Sequence, residues 1–359
     1  MTVVSRYLAQ RFWGLWWPVV VGFLGLFLVV EAFEKLRLIL KYSPRAADMA
    51  LFFAARVPWM LTQILPMSGL LAAAFAVAGL IRRGELAALR AGGLSLARLS
   101  VPFVASGLLL AVGHLGLQEL VAPRGFALAR QIKNVRIKGR SEASLVRTTD
   151  LWLRVPGGFV HVDRLDPRTG TLTGVQIARV KGGRVYERVS ARTSRWDGRG
   201  WVLESVEVWR FRPDGTLETD RIKRTRWDLG LTPQDLTVEK VPTDAISWGE
   251  LRRRIERSRR RGFDTLDLEV GLWAKTAFPA ATALLPFLAF SLGVGGPPRG
   301  TGVRGVLTAL AAAVAFGLAQ AVSLSLGRTG ALPPPLAAWA PPLGFALLAR
   351  WALRRAEAS

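Results

Sequence analysis

Six long apolar stretches constrain this chain more than any other feature of its sequence. The hydrocarbon core of a bilayer is about 30 Å thick, and an α-helix needs roughly 20 apolar residues to cross it. The predicted spans are residues 13–33, 58–81, 99–120, 270–293, 303–326 and 336–353. A long polar segment separates the first three from the last three. The sequence therefore predicts an α-helical membrane protein with six transmembrane helices in a 3+3 arrangement.

The positive charges of the short connections predict the orientation of these spans. Short loops rich in Lys and Arg stay in the cytoplasm, whereas long loops are translocated largely regardless of their charge. Arginines follow the second and fourth spans and close the chain, at Arg82, Arg83, Arg90, Arg98, Arg299, Arg304, Arg350, Arg354 and Arg355. We therefore expect a multi-pass membrane protein with both termini in the cytoplasm and the polar segment in the periplasm.

The polar segment has the pattern of an all-β domain. From about residue 145 to 240, apolar and polar residues alternate, for example at 175–180 and 202–208. Turn signals recur at intervals of about ten residues, which is typical of an antiparallel sandwich or jelly roll. The predicted domains are a first transmembrane half, a periplasmic domain with a β-jelly roll, and a second transmembrane half, at residues 1–120, 121–265 and 266–359.

Two interpretations of the β-domain stay open. It could be a soluble domain that binds some protein, or a curved sheet whose interior cradles acyl chains or whose open edge pairs with a neighbouring β-domain. Residues 244–262 follow it and predict a basic amphipathic helix that leads back into the membrane. Its arginine-rich face is expected to be solvated or to face lipid head groups.

The charge balance suggests an anionic partner. The chain has 49 Lys and Arg residues against 26 Asp and Glu residues, a formal net charge of +23. Such an excess suggests nucleic acid, anionic lipid or an acidic glycolipid. Membrane spans on both sides of the basic segment disfavour nucleic acid.

The sequence predicts no enzyme chemistry. Cysteine is absent, which excludes disulfides, iron–sulfur clusters and cysteine nucleophiles. Neither a Walker A pattern nor a G-x-S-x-G or H-E-x-x-H motif occurs. His161 has no second metal ligand in view, and His114 lies inside the third span, where packing or a hydrogen bond is expected. We predict no catalytic residue, no metal site and no cofactor bound by this chain.

Four charged residues near the ends of the spans leave two interpretations open. Charge inside a bilayer is costly and often functional, but a long side chain near a helix end can also snorkel to the membrane surface. The four residues are Glu31, Glu34, Glu119 and Lys275.

A short helix is predicted in the loop between the second and third spans, at about residues 84–91. Glu85 stands at its favourable N-terminal end, Leu86 and Leu89 share one face, and Gly92 and Gly93 end it. Such a helix could engage a groove on an ATPase, or it could merely connect two spans.

Several motifs of this chain resemble those of the LptF/LptG (YjgP/YjgQ) permeases of lipopolysaccharide transport. Their order and spacing are more specific than any one of them. They are Leu65-Pro66-Met67, Arg83-Gly84-Glu85-Leu86, Ala91-Gly92-Gly93, Val121-Ala122-Pro123 and Ala129-Arg130. The resemblance covers essentially the whole chain. Leu151-Trp152-Leu153 and Leu272-Trp273-Ala274-Lys275 are more similar to the LptG branch than to the LptF branch.

The resemblance implies a function and a set of partners. It implies an ABC transporter permease that extracts lipopolysaccharide from the inner membrane and passes it to a periplasmic bridge. ATP and Mg would be bound by a separate LptB-like ATPase dimer. The other implied partners are a second LptF/LptG-type permease and LptC-like and LptA-like periplasmic β-domain proteins, with no nucleic acid.

The resemblance also implies three groups of site residues. ATPase coupling would use Glu85, Leu86, Leu89 and Arg90; the phosphorylated head group would bind Lys35, Arg37, Arg130 and Lys133; and acyl chains would contact Leu70, Leu71 and Phe75. Arg and Lys suit phosphate because their hydrogen bonds to it are charge-assisted. Lys41 is expected to snorkel. Glu31 departs from the family pattern, because a basic residue is expected there.

Two rival functions stay open. The chain could be a membrane-anchored scaffold or sensor whose β-domain binds periplasmic proteins, in which case no ATPase would associate with it. A secondary transporter would instead need paired ionisable groups near the membrane midplane. The charges of this chain cluster at the span ends, which argues against ion coupling.

Overall fold

The computed structural model describes residues 3–138, 149–155, 157–166, 169–181, 184–198, 200–211, 216–227, 243–260, 264–295 and 302–358. The chain forms two compact units. The helical unit comprises Met1–Arg130, Thr243–Arg252 and Leu266–Ser359. The sheet unit comprises Gln131–Pro242 and Arg253–Thr265.

Ten α-helices are described. Those before the sheet are α1 (Val3–Glu34), α2 (Leu36–Tyr42), α3 (Ala46–Arg82), α4 (Glu85–Ala91), α5 (Leu96–Gly116) and α6 (Ala122–Gln131). Those after it are α7 (Trp248–Arg260), α8 (Leu266–Val294), α9 (Gly302–Arg328) and α10 (Pro334–Ala358). Two π-helical turns, Leu117–Val121 and Ile132–Ile137, follow α5 and α6, and a 3-10 turn at Thr243–Ala245 precedes α7.

Six helices in the described part of the chain are long and apolar enough to cross a membrane. They are α1, α3, the continuous helix Leu96–Ile137, α8, Arg304–Arg328 within α9, and α10. Three precede the sheet and three follow it, so the predicted 3+3 arrangement around an all-β insert is confirmed.

The helices are longer than the predicted spans. The second span was expected to start at residue 58, but α3 starts at Ala46. Hydropathy marks the stretch that matches the bilayer core, whereas the i to i−4 hydrogen bonds of the backbone continue into the flanking residues. The predicted spans are therefore shorter than the helices that contain them.

The third helix shows the largest difference. It was expected to end at residue 120, before Pro123, but it continues to Ile137. Pro123 lacks a backbone N–H, and the π-helical turn Leu117–Val121 ends two residues before it, where the regular hydrogen-bond ladder is interrupted. In the sixth helix, Pro334 and Pro335 occupy the first turn of α10, and Pro341 and Pro342 lie within it.

Small residues set the distance between two pairs of helices in the helical unit. A Cβ added to Gly107 of α5 would lie 2.4 Å from the carbonyl oxygen of Ala283 in α8. A Cβ added to Gly125 of α6 would lie 2.4 Å from the carbonyl oxygen of Ala55 in α3. Both contacts bring backbones together as closely as small residues allow in membrane helix packing.

The sheet unit contains six antiparallel strands in chain order. They are β1 (Thr149–Val155), β2 (Gly158–Asp166), β3 (Thr171–Lys181), β4 (Arg184–Trp196), β5 (Trp201–Phe211) and β6 (Leu217–Trp227). Val160, Ile177, Val189 and Val208 lie opposite one another across four strands and are buried. The alternation read from the sequence is thus the alternation between the buried and exposed faces of this sheet.

Parts of the predicted β-domain fall on residues outside the described ranges. They include residues 145–148 and 228–240 at its ends, and residues 182–183 and 213–215 between its strands. After the sheet, α7 covers most of the predicted basic helix, and its Leu251 and Ile255 are buried.

Candidate functional site

The loop helix α4 is bounded by glycines in the left-handed region of backbone conformation. Gly84 before it has φ +70° and Gly93 after it has φ +82°, values that L side chains rarely adopt. Leu86 and Leu89 pack, half-buried, against the core of the helical unit. Arg90 is exposed. The apolar stripe of α4 therefore attaches this helix to its own chain, and its remaining surface faces outward.

Glu85 ties α4 to the start of α1. The hydroxyl of Tyr7 donates to Glu85 Oε2 at 2.7 Å, and Arg11 Nη2 donates to Glu85 Oε1 at 3.1 Å. Arg11 also donates to the Tyr7 hydroxyl at 2.7 Å. Tyr7 and Arg11 are not among the predicted site residues. The available signal was Arg11 at the start of the first span, a cation on the same predicted side of the membrane as Glu85.

Glu31 is buried in an ion-pair cluster at the C-terminal end of α1. Its residue exposure is 3%. Oε1 lies 3.2 Å from Lys35 Nζ and 3.3 Å from Arg56 Nε, and Oε2 accepts from Arg56 Nη2 at 3.3 Å. Snorkelling is therefore the wrong interpretation of Glu31. The exposed carboxylate of Glu34, 3.5 Å from Lys35, remains compatible with it.

Arg56, which is not among the predicted site residues, lies at the centre of this cluster. Its guanidinium carbon lies 4.6 Å from the ring centroid of Trp59 and 5.9 Å from those of Phe52 and Phe126. Stacked aromatic faces attract a guanidinium through their quadrupoles. Together with Glu31, these rings join α1, α3 and α6. An arginine within an otherwise apolar run was the signal.

The predicted head-group residues occupy different environments. Lys35 is partly buried and paired with carboxylates. Arg37 is exposed on α2, Arg130 is half-buried on α6, and Lys133 is half-buried in the second π-helical turn.

An apolar groove of about 370 Å³ lies between α1, α3 and α9. It is lined by two of the three predicted acyl-chain residues, Leu70 and Leu71, of which Leu70 is fully buried and Leu71 is half-buried. Phe75, one turn further along α3, is exposed. The other lining residues are Phe23, Met67, Leu310, Ala313, Val314, Gly317 and Leu318.

Two further polar pairs join α5 and its π-helical extension to α8. Lys275 is only 5% exposed, and its Nζ lies 3.8 Å from Glu119 Oε1. Snorkelling is therefore wrong for Lys275 as well. His114 Nδ1 lies 2.8 Å from Thr282 Oγ1, which confirms the expected hydrogen bond.

Within the described residues, no group of three or more His, Cys, Asp or Glu side chains could hold a metal ion. What the geometry provides instead is a set of anchored charges at two ends of a helical unit and an apolar groove between helices. Such features suit the binding and movement of an amphiphile.

Comparison with known proteins supplies the decisive observation. A family model described as "Lipopolysaccharide export system permease LptF/LptG" matches residues 6–355. The chain belongs to the LptF/LptG family. The protein named LptG in Escherichia coli K12 is 24% identical over 361 residues, which cover 98% of each chain. The protein named LptG in Haemophilus influenzae is 22% identical over 360 residues, with 99% of each chain covered.

Membership of the LptF/LptG family confirms the resemblance seen in the sequence, including its similarity to LptG. This LptF/LptG family member is a permease for lipopolysaccharide export. With six helices that could span a bilayer, it is a multi-pass protein of the inner membrane.

Proposed function

We propose that this chain is the LptG-type permease subunit of an ATP-binding-cassette exporter, which extracts lipopolysaccharide from the inner membrane and passes it to a periplasmic bridge toward the outer membrane. The observation that carries the proposal is the attachment of α4 to α1 through Glu85, Tyr7 and Arg11. A loop helix held in this way can transmit a push from a bound ATPase to a membrane-spanning helix.

The proposed orientation has both termini in the cytoplasm and the sheet unit in the periplasm. It follows from the arginines of the short connections. In this orientation α4 faces the compartment that contains ATP. Glu85, Leu86, Leu89 and Arg90 form the coupling site, with Arg90 on the exposed surface and the two leucines joining α4 to the core.

The proposed partners are an LptB-like ATPase dimer, a second LptF/LptG-type permease, and LptC-like and LptA-like periplasmic proteins. ATP and Mg bind to the ATPase, so this chain is a non-catalytic subunit without a cofactor of its own. Hydrolysis in the partner moves α4, and α1 moves with it.

The proposed substrate contacts separate the polar and apolar parts of the glycolipid. Lys35, Arg37, Arg130 and Lys133 bind the phosphorylated head group through charge-assisted hydrogen bonds. Acyl chains contact the groove that contains Leu70 and Leu71, because its lining is almost entirely apolar. Glu31 pairs with Lys35, and head-group phosphates compete with Glu31 for that ammonium.

The test is purification of the chain in mild detergent after co-expression with the candidate ATPase and the second permease, followed by mass spectrometry of proteins and lipids. We expect an ATPase dimer, a second permease and a phosphorylated glycolipid in one complex. Glu85→Lys should uncouple ATP hydrolysis from export. Glu204→Lys, an exposed carboxylate on β5, is the control. Recovery with periplasmic proteins alone would favour the scaffold function, and unchanged export by Glu85→Lys would remove the coupling role.

A further inference from the structure

The π-helical turn Leu117–Val121 directs two consecutive side chains to one residue of α8. Gln118 Nε2 donates to the backbone oxygen of Lys275 at 3.0 Å. Glu119 Oε1 lies 3.8 Å from the Nζ of the same lysine. Consecutive residues of a regular α-helix do not face one neighbour, so the wider turn has a structural consequence here. The end of the third span therefore contacts Lys275 twice: Gln118 bonds its backbone oxygen, and Glu119 pairs with its side-chain ammonium.

Glu119 also holds the start of α7. Its Oε2 accepts a hydrogen bond from the backbone N–H of Trp248 at 2.7 Å. The first N–H groups of a helix have no partner within the helix, and a carboxylate is a favourable acceptor there. One carboxylate thus contacts both α8, through Lys275, and α7, through Trp248.

The turn that precedes α7 is held against α8 by a second contact. A Cβ added to Gly271 of α8 would lie 2.7 Å from the Cβ of Thr243. The segment from Thr243 to Trp248 is therefore fixed at both ends, by Gly271 at its start and by Glu119 at its end. This segment is the part of the chain that returns from the β-sheet to the fourth span.

The third and fourth spans form a closely packed pair at the same time. Gly107 approaches the backbone of Ala283, and His114 pairs with Thr282. We expect these two spans to move together, because groups packed this closely leave no room for one helix to slide along the other. Because Glu119 also bonds the backbone N–H of Trp248, the start of α7 would move with them.

We propose that Gln118, Glu119 and Lys275 are positioning residues for export: they couple the third and fourth spans to the returning segment Thr243–Trp248, and this coupling carries movement of the spans into the chain that leads to the β-sheet. The transport part of the proposal rests on the proposed function. The positioning part depends on the geometry alone.

The positioning part can be tested by crosslinking. The natural chain contains no cysteine, so Thr243→Cys with Gly271→Cys introduces the chain's first thiol pair. The two Cβ atoms would start 2.7 Å apart, so a local shift of about 1 Å has to bring them to the separation found in disulfides. In the full-length chain in detergent, we expect rapid disulfide formation. Adding Glu119→Gln or Lys275→Met should slow it about fivefold or more, the scale of a moderate coupling between sites.

Thr282→Val is the matched control, because it removes a buried polar contact between the same two helices without touching Glu119 or Trp248. It should lower thermal stability while the crosslinking rate stays unchanged. Equal rates in the parent, Glu119→Gln and Lys275→Met chains would overturn the proposal. An equal slowing by Thr282→Val would also overturn it, because the effect would then reflect general loosening.

The transport role is tested with the cysteine-free chain, assembled with its permease and ATPase partners in vesicles that contain lipopolysaccharide. We expect Glu119→Gln to lower the lipopolysaccharide released per ATP hydrolysed about fivefold, with ATP hydrolysis retained. The double variant with Lys275→Met should be no worse than either single variant. Normal release with slowed crosslinking would remove the transport role. An inactive parent complex would instead count against the proposed function, and crosslinking would still decide the positioning role.

Discussion

The hydroxyl of Tyr7 donates a hydrogen bond of 2.7 Å to the carboxylate of Glu85, although the two residues are separated by 78 positions in the chain. This bond joins the start of α1 to the first residue of α4. Arg11 completes the contact from one turn further along α1. A residue proposed to sense the ATPase is thus already bonded to a membrane-spanning helix.

We predict that Tyr7→Phe weakens coupling without preventing assembly. The substitution keeps the ring and removes the hydroxyl, which donates to Glu85 and accepts from Arg11. Each such hydrogen bond contributes about 1 kcal/mol at a partly exposed position. The expected result is normal co-purification of the ATPase and a severalfold loss of lipopolysaccharide released per ATP. Tyr42→Phe, which keeps the ring near Lys41, is the control. If both variants export normally, the Tyr7 bond has no role in coupling.

Glu31→Gln should destabilise the helical unit. The substitution leaves the partly buried Arg56 and Lys35 without their shared carboxylate, and breaking a buried ion pair from one side costs about 3–5 kcal/mol. Thermal unfolding in detergent should shift clearly downward. Glu34→Gln should have little effect because Glu34 is 62% exposed. Replacing Arg56 by Met in the Glu31→Gln chain should restore part of the loss, and a further loss would contradict the pairing.

Gly107→Ala should separate α5 from α8. The added Cβ would lie 2.4 Å from the carbonyl oxygen of Ala283, so a backbone has to shift. Such overpacking costs about 1–3 kcal/mol. Gly113→Ala in the same helix meets no atom within 4 Å and is the matched control. Thermal unfolding of the purified chain checks both, and equal stability of the two variants would rule out the close approach.

Arg130→Glu should reduce the glycolipid that co-purifies with the complex. The substitution places a negative charge where the head-group phosphates are proposed to bind, and about a tenfold loss corresponds to about 1.4 kcal/mol of binding free energy. Arg124→Glu, on an exposed position of the same helix α6, is the control. Quantitative lipid mass spectrometry measures both, and an equal loss in the control would point to a general charge effect.

Much of the fold could be predicted because its signals are local. Apolar stretches as long as a bilayer is thick predicted the membrane-spanning helices, and alternation with turn residues predicted the strands of the sheet. The predicted helix limits were wrong where a helix extends beyond its apolar part, as at the start of α3 (Ala46) and at the end of the third membrane helix (Ile137). In both places the hydrogen bonds of the backbone, rather than hydropathy, decide where the helix ends.

The sequence by itself determined that this chain crosses a membrane, carries a β-sheet between two sets of helices and belongs to a family of exporters. Only the tertiary structure decided which charges are paired. Glu31 meets Arg56 across two helices, Glu119 meets Lys275, and Glu85 meets Tyr7. These pairings depend on how each helix is rotated and how closely it packs against its neighbours. Those quantities arise from contacts between distant parts of the chain, and no local pattern of residues encodes them.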